Sequence, residues 1–350
     1  MLHNVIRDRV RGVTARLQLM DGNLMPQLGF GTYRLSPEQA STAVGCAARH
    51  DFRHFDTAPI YHNQREVGRA LRGVMQGSAG CGAPVPRNQL FVVSKLWPTQ
   101  MRPDVVESAC RQTLAELQLE YLDLFLIHWP VAWKPPLSFA CFDAKDDCFP
   151  TDPATGNAAE DTGVSLKDTW SAMELLVGKG LVRSLGVSNF SADDLDCVSR
   201  DCKVRPVTNQ VEVHPGLKQQ ELRAVHAKFG ITTTAHCPFG MPTRFTVPDF
   251  KGIMRHPYFE PLCERTGFSA ARLLLNWHLD SRHAVIVKAS TEEHIKDNSK
   301  AETQMLSMPV RWMLEAFEAK ESVRVMNPTH FRADGRPFFP AQTRRSPRTP

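Results

Sequence analysis

The chain has 350 residues, 42% hydrophobic and 8% aromatic, enough to bury one large core. Its 42 basic and 37 acidic residues leave a net charge of +5 with no long basic run interleaved with aromatics, which argues against a nucleic-acid partner. The nine cysteines are scattered with no C-x-x-C pair, which points to a reducing compartment, and the most apolar run, 122–127, is strand-sized and interrupted by Asp123, which argues against a membrane span.

In chain order, the first sixteen residues carry Arg7, Arg9, Arg11 and Arg16 against Asp8. Mitochondrial presequences share that composition; a flexible basic extension is the plainer reading. Residues 17–20 then turn at Asp21-Gly22, a two-residue hairpin signal that would plug the closed end of a barrel. From there, short apolar runs alternate with amphipathic stretches, the pattern of repeated βα units around a parallel sheet. Strands are expected at 28–32, 53–57, 90–95, 123–128, 182–187, 207–212, 231–235 and 284–288. Eight such units make a (β/α)8 TIM barrel with an N-terminal β-hairpin and extended loops, a single domain over 1–350 with its barrel in 17–325.

Helix starts at Ser36-Pro37-Glu38 and Met101-Arg-Pro103-Asp104 place proline at the first helical position. The helix from Pro103 sets Val106, Cys110, Thr113, Leu114 and Leu117 on one face. Further helices fit 62–76, 166–179, 192–199, 218–228, 268–279 and 291–299. The segment 133–165 has no period and reads as a functional loop. From 326 to 350, Pro, Arg and aromatic residues follow no pattern, and the stretch reads as a tail.

Barrel enzymes carry their chemistry at the C-terminal strand ends. Asp56 ends the second strand with Tyr61 after a turn, Lys95 ends the third and His128 the fourth. Tyrosine, with an ordinary pKa of about 10, donates a proton near neutrality only beside a cation that favours the phenolate. Lys95 supplies that charge, Asp56 keeps the lysine protonated, and His128 orients a substrate oxygen. A hydride donor is then required. Gly29-Phe30-Gly31 lacks the third glycine and the helix start of a dinucleotide fingerprint, so nicotinamide is expected across the barrel mouth instead, with its carboxamide on Ser188, Asn189 and Gln210. Lys288, Thr291 and the following helix start would take the terminal phosphate. The His and acidic residues at the strand ends form no convincing metal-ligand set, and no metal is expected.

The stretches Phe52-Arg-His-Phe-Asp-Thr-Ala-Pro-Ile-Tyr61-His-Asn, Val93-Ser-Lys95-Leu-Trp, Tyr121-Leu-Asp-Leu-Phe-Leu-Ile-His128-Trp-Pro, Gly180-Leu-Val-Arg-Ser-Leu-Gly-Val-Ser-Asn-Phe190 and Asn209-Gln-Val-Glu-Val-His-Pro215 stand in one order across most of the chain. In them the sequence resembles the aldo-keto reductase superfamily, particularly its aldose and aldehyde reductase branch. The resemblance implies an α/β barrel, NADPH/NADP+ as cofactor with NADH as a weaker alternative, and Asp56, Tyr61, Lys95 and His128 as the catalytic set. It also implies cofactor contacts at Thr32, Ser188, Asn189, Gln210, Lys288 and Asn298, and a substrate pocket lined by Tyr33, Trp97, Trp129 and Trp133. The 133–165 loop resembles the family's specificity loop. A small-molecule carbonyl substrate and a cytoplasmic monomer without an obligate protein partner are expected with it.

Three departures bear on the cofactor. His236-Cys-Pro-Phe-Gly240 stands where the family usually has Tyr-Ser-Pro-Leu-Gly, so an imidazole replaces the stacking phenol and offers less area. His294 stands for the arginine near the 2′-phosphate, and Ala289 for the serine after the lysine. Weaker cofactor binding is expected, with NADPH preference resting chiefly on Lys288. The expected activity is reduction of aldehydes, and some ketones, to alcohols; the competing reading is an NADP(H)-binding regulatory or scaffold protein with little catalysis.

Overall fold

The computed structural model describes residues 5–6, 15–78, 80–135, 148–241, 252–303, 305–319 and 322–339. A small antiparallel sheet, β1 (Val5–Ile6), β2 (Arg16–Gln18) and β3 (Leu24–Pro26), precedes eight parallel strands. These are β4 (Leu28–Gly31), β5 (His54–Asp56), β6 (Phe91–Leu96), β7 (Leu122–Ile127), β8 (Val182–Ser188), β9 (Thr208–Glu212), β10 (Thr232–His236) and β11 (Ala284–Val287). Each pairs with the next, and β11 pairs with β4 to close the barrel. Every boundary of the eight lies within one residue of the end read from sequence; the apolar-rich runs β6, β7 and β11 are buried on both faces.

Helices α1 (Pro37–Arg49), α2 (Gln64–Gln76), α3 (Pro103–Leu117), α4 (Leu166–Gly178), α5 (Ala192–Ser199), α6 (Gln220–Phe229), α7 (Glu260–Thr266), α8 (Ala270–Asp280), α9 (Glu292–Ser299) and α10 (Met308–Ala316) surround the strands. Ser36 caps α1 with a reciprocal Gln39 contact and Pro37 opens it. On α3 the face predicted to be apolar, Val106 through Leu117, is buried against the sheet. Helices α7 and α10 are not legible from periodicity: α7 spans only two turns, and α10 buries just Val310 and Leu314.

The hairpin does close the base. Leu17, Leu19 and Met25 pack with Phe91, Val93, Leu124, Leu126, Val207 and Ala284 inside the strands, and full burial of Leu17 and Met25 contributes about 1.5–3 kcal/mol each. Gly29 shows what the Gly-Phe-Gly run is for. A Cβ there would come within 2.5 Å of Ile286 and 2.9 Å of His54, so the glycine admits neighbouring strands rather than a phosphate. Asp123, the charge inside the apolar run, is buried but accepts from the Val92 N–H at 2.9 Å and pairs with Arg87 at 2.7 Å.

Two readings change. Most of the basic extension lies outside the described residues, but Val5–Ile6 pair with Arg16 and Leu17, since β2 offers an open edge. The tail is the larger difference. Residues 340–350 lie outside the described residues, whereas 326–339 pack across the barrel mouth, burying Phe331 and Phe339. Their aromatics obey no period because their partners sit on other loops, not on one element. In the long loop, 136–147 fall outside the described residues; its ends form bridges between Trp133 and Glu160 and between Thr151 and Ala158.

Candidate active site

Strand ends β5, β6 and β7 deliver Asp56, Lys95 and, one residue on, His128 to the barrel mouth, and a short 3-10 turn, Pro59–Tyr61, brings Tyr61 back over them. Lys95 is 1% exposed. Its Nζ donates to Asp56 Oδ1 at 2.5 Å, to the Thr57 carbonyl at 3.1 Å and to the Tyr61 hydroxyl oxygen at 3.2 Å. With three acceptors for three protons, the ammonium is fully satisfied. Burial pushes its pKa down, and the facing Asp56 carboxylate opposes that shift.

Because Lys95 donates to the phenol oxygen, the Tyr61 proton is directed away from the lysine. Burial, then the Asp56 charge, holds the Tyr61 pKa well above its ordinary 10, so the resting side chain is a phenol. Sequence reasoning stressed the lowering by the lysine; desolvation is the larger effect at rest. His128 stands edge-on to Tyr61, with ring centroids 5.9 Å apart. Burial and the Lys95 charge push its pKa well below 6.5, so the ring is neutral. Its Nδ1 is buried without a hydrogen-bond partner among the described residues.

The residues expected to hold a carboxamide form one network. Ser188 Oγ donates to the Gln210 carbonyl at 2.9 Å, and Asn189 Nδ2 donates to the His128 carbonyl at 2.9 Å and to Ser188 Oγ at 3.1 Å. Asn189 adopts a left-handed backbone, φ 61°, which turns its side chain back to the mouth. Gln210 spends its amide nitrogen on Asp56 Oδ2 at 2.8 Å, a bond that sequence reasoning did not foresee; it ties the Ser188–Asn189–Gln210 network to Asp56. Both Asp56 oxygens are thereby engaged. Thr32 Oγ1 donates to the Asp56 carbonyl at 3.1 Å, fixing β4 to β5.

His236 ends β10 and its Nε2 lies 3.0 Å from Asn189 Oδ1, which makes Nε2–H the donor. Burial pushes its pKa down to about 4, so the imidazole stays neutral at physiological pH.

The end expected to take the phosphate is more open. Lys288, Thr291 and His294 are exposed, and Asn298 is buried on α9. Thr291 caps α9, its Oγ1 accepting the His294 N–H at 3.4 Å. Arg34 was missed from sequence. It follows Tyr33 in a left-handed conformation, φ 61°, and its charge is felt at both Lys288 and Cys237, so a second cation faces this end of the mouth. A cation directly after the Thr32-Tyr33 pair was the available signal.

Of the expected pocket residues, Tyr33 is 38% exposed and lies 5.1 Å from the Tyr61 ring. Trp97, Trp129 and Trp133 are almost wholly covered, packed with Phe331 and flanked by Phe149 and Phe338. Trp97 Nε1 donates to the Cys148 carbonyl and Trp133 Nε1 to the Phe331 carbonyl, so the aromatic wall joins the long loop and the C-terminal segment. Away from this site, Cys46, His50 and Glu292 bring donor atoms within 4.8 Å of one another, and Arg49 holds the same Glu292 carboxylate.

A sequence model described as "Aldo/keto reductase family" matches residues 27–308. The chain belongs to that family. It is an oxidoreductase on a closed eight-stranded parallel barrel. Aldo-keto reductase family 1 member A1 of Rattus norvegicus is 42% identical over 281 residues, 80% of this chain and 82% of that protein. The Homo sapiens protein of the same name is 41% identical over 283 residues, 81% and 82%. Among solved structures, aldose reductase from Giardia lamblia superposes with a TM-score of 0.79 at 32% identity, covering 90% of this chain and 98% of that one. Aldose reductase from Schistosoma japonicum gives 0.78 at 30%, covering 90% and 95%. No described helix is long and apolar enough to cross a membrane.

Proposed function

We propose that this aldo/keto reductase reduces aldehydes, and some ketones, to alcohols with NADPH, and that Tyr61 is the proton donor. The observation that carries the reading is the buried chain Gln210–Asp56–Lys95–Tyr61, continuous from carboxamide cradle to acid. Bound NADPH supplies the hydride. The residues suit such a cofactor: Ser188, Asn189 and Gln210 present amide partners beside the flat His236 ring, while Lys288, Arg34 and the α9 N-terminus offer positive potential to its phosphates.

The protein's own groups then do the following. The Nε2–H of His128 and the hydroxyl of Tyr61 converge on a carbonyl oxygen and orient it. As negative charge grows on that oxygen the Tyr61 proton moves to it, and the Lys95 ammonium stabilises the phenolate left behind. Asp56 keeps Lys95 charged in a site where burial would strip its proton. The covered wall of Trp97, Trp129 and Phe331 excludes water and favours substrates with apolar or aromatic bodies.

A panel of aromatic aldehydes, short aldehydes, glyoxals and quinones, run separately with NADPH and NADH, tests this reading. Oxidation of NADPH by at least the aromatic aldehydes is expected, with slower use of NADH because Lys288 and Arg34 select the extra phosphate. Tight NADPH binding without turnover of any carbonyl would point instead to a regulatory or scaffold role.

A further inference from the structure

The stretch that supplies Gln210 also supplies Glu212, which proton transfer does not use. Glu212 ends β9 at the mouth and is 1% exposed. Its Oε1 accepts the Val325 N–H at 2.7 Å and the His214 Nε2–H at 2.9 Å, and its Oε2 accepts the Met326 N–H at 2.7 Å. We propose that Glu212 is a specificity-determining positioning residue: its carboxylate latches the backbone at 325–326 to the barrel frame and so fixes the C-terminal wall that closes the aromatic pocket.

The case rests on where the rest of that wall is tied. Phe331 packs at 5.2 Å on Trp129 and 5.0 Å on Trp133, and Phe338 lies 5.0 Å from Trp129. Two bonds of this stretch go to the long loop, Ala158 N–H to the His330 carbonyl at 2.9 Å and Ala333 N–H to Glu160 Oε1 at 2.7 Å, and beside the latch Val323 N–H donates to the Gly216 carbonyl at 3.1 Å. The tryptophan bond to the Phe331 carbonyl comes from that loop's first residue. Loop and wall thus hold each other, and the Glu212 carboxylate ties the pair to a strand. Two consecutive N–H groups on the two oxygens of one carboxylate fix the direction of the chain as well as its position, and charge-assisted bonds out of water are the strong kind. Glutamate suits this use because an amide in its place offers one acceptor oxygen and turns a donor against the other N–H.

This inference rests on the carbonyl-reductase reading only for its kinetic readout, so the experiment carries a second readout. Glu212→Gln is compared with the parent protein for KM and kcat on a fused-ring aromatic aldehyde and on propanal, for the dissociation constant of NADPH, and for amide hydrogen exchange in 322–339. Faster exchange in that segment is expected, with KM for the aromatic aldehyde raised about tenfold and its kcat, both propanal parameters and NADPH affinity within about twofold. Met326→Pro removes one donor from the other side of the latch without touching the barrel, and it should reproduce the pattern even where Glu212→Gln fails to fold. Unchanged exchange in 322–339 overturns the latch, as does an equal rise in KM for both aldehydes. If exchange rises but the parent protein turns over no carbonyl, the latch stands and the proposed reaction falls.

Discussion

A lysine whose whole side chain is out of water keeps its proton only while an anion faces it, and Asp56 does so at 2.5 Å from Lys95 Nζ. The pair is therefore coupled in stability as well as chemistry. Lys95→Met leaves the Asp56 carboxylate buried without its cation, and we expect a loss of about 3–5 kcal/mol in urea unfolding together with loss of turnover. Adding Asp56→Asn should restore most of the stability and none of the activity. Equal stability of the single and double variants would show that the pair is not coupled as described. At this scale the structure brings Asp56, Tyr61, Lys95 and His128 together, as their places at strand ends or the turn after one led the sequence reading to expect. It did not see the Gln210–Asp56 bond or the second cation, Arg34, since neither pairing follows from spacing along the chain.

Elements carry a different liability, which is their buried neutral histidines. His226 on α6 is held by Thr233 Oγ1 at Nδ1, 2.9 Å, and by Asn209 Nδ2 at Nε2, 3.0 Å. Nε2 must accept there, so a second ring proton would face another N–H. Burial pushes the pKa of His226 and of His278 on α8 down to about 3, and that of His54 on β5 down to about 4. A histidine lowered in the folded state binds protons more readily when unfolded. Its contribution is whole above the unfolded pKa of about 6.5 and is lost progressively as pH falls toward the folded value. Between pH 7 and pH 5 each such group costs about 2 kcal/mol, and urea midpoints should fall accordingly. His226→Gln should flatten that fall by one group's share; an identical slope would contradict the assignment. Elements were legible where burial is continuous, as in the eight strands, or where a cap marks the start, as at Ser36. The C-terminal wall was not legible, because Phe331 and Phe338 answer to tryptophans about 200 residues earlier in the chain, not to neighbours at a fixed period.

For the molecule as a whole, the barrel shape followed from counting alternating units, and the hairpin plug from one Asp-Gly turn. What the assembled structure adds is that a single polar thread crosses the mouth. It runs from His236 through Asn189 and Ser188 to Gln210, Asp56, Lys95 and Tyr61. The proposed cofactor cradle and the proposed acid are therefore one hydrogen-bonded unit, and the histidine at its far end is neutral and hydrogen-bonded. The central claim is that Tyr61 delivers the proton, and it is tested most directly by Tyr61→Phe. Steady-state reduction of an aromatic aldehyde and NADPH binding followed by fluorescence should be measured on the same preparation. The account predicts a fall in kcat of about 10²–10⁴-fold with the NADPH dissociation constant within about twofold; turnover within a few-fold of the parent protein would contradict it.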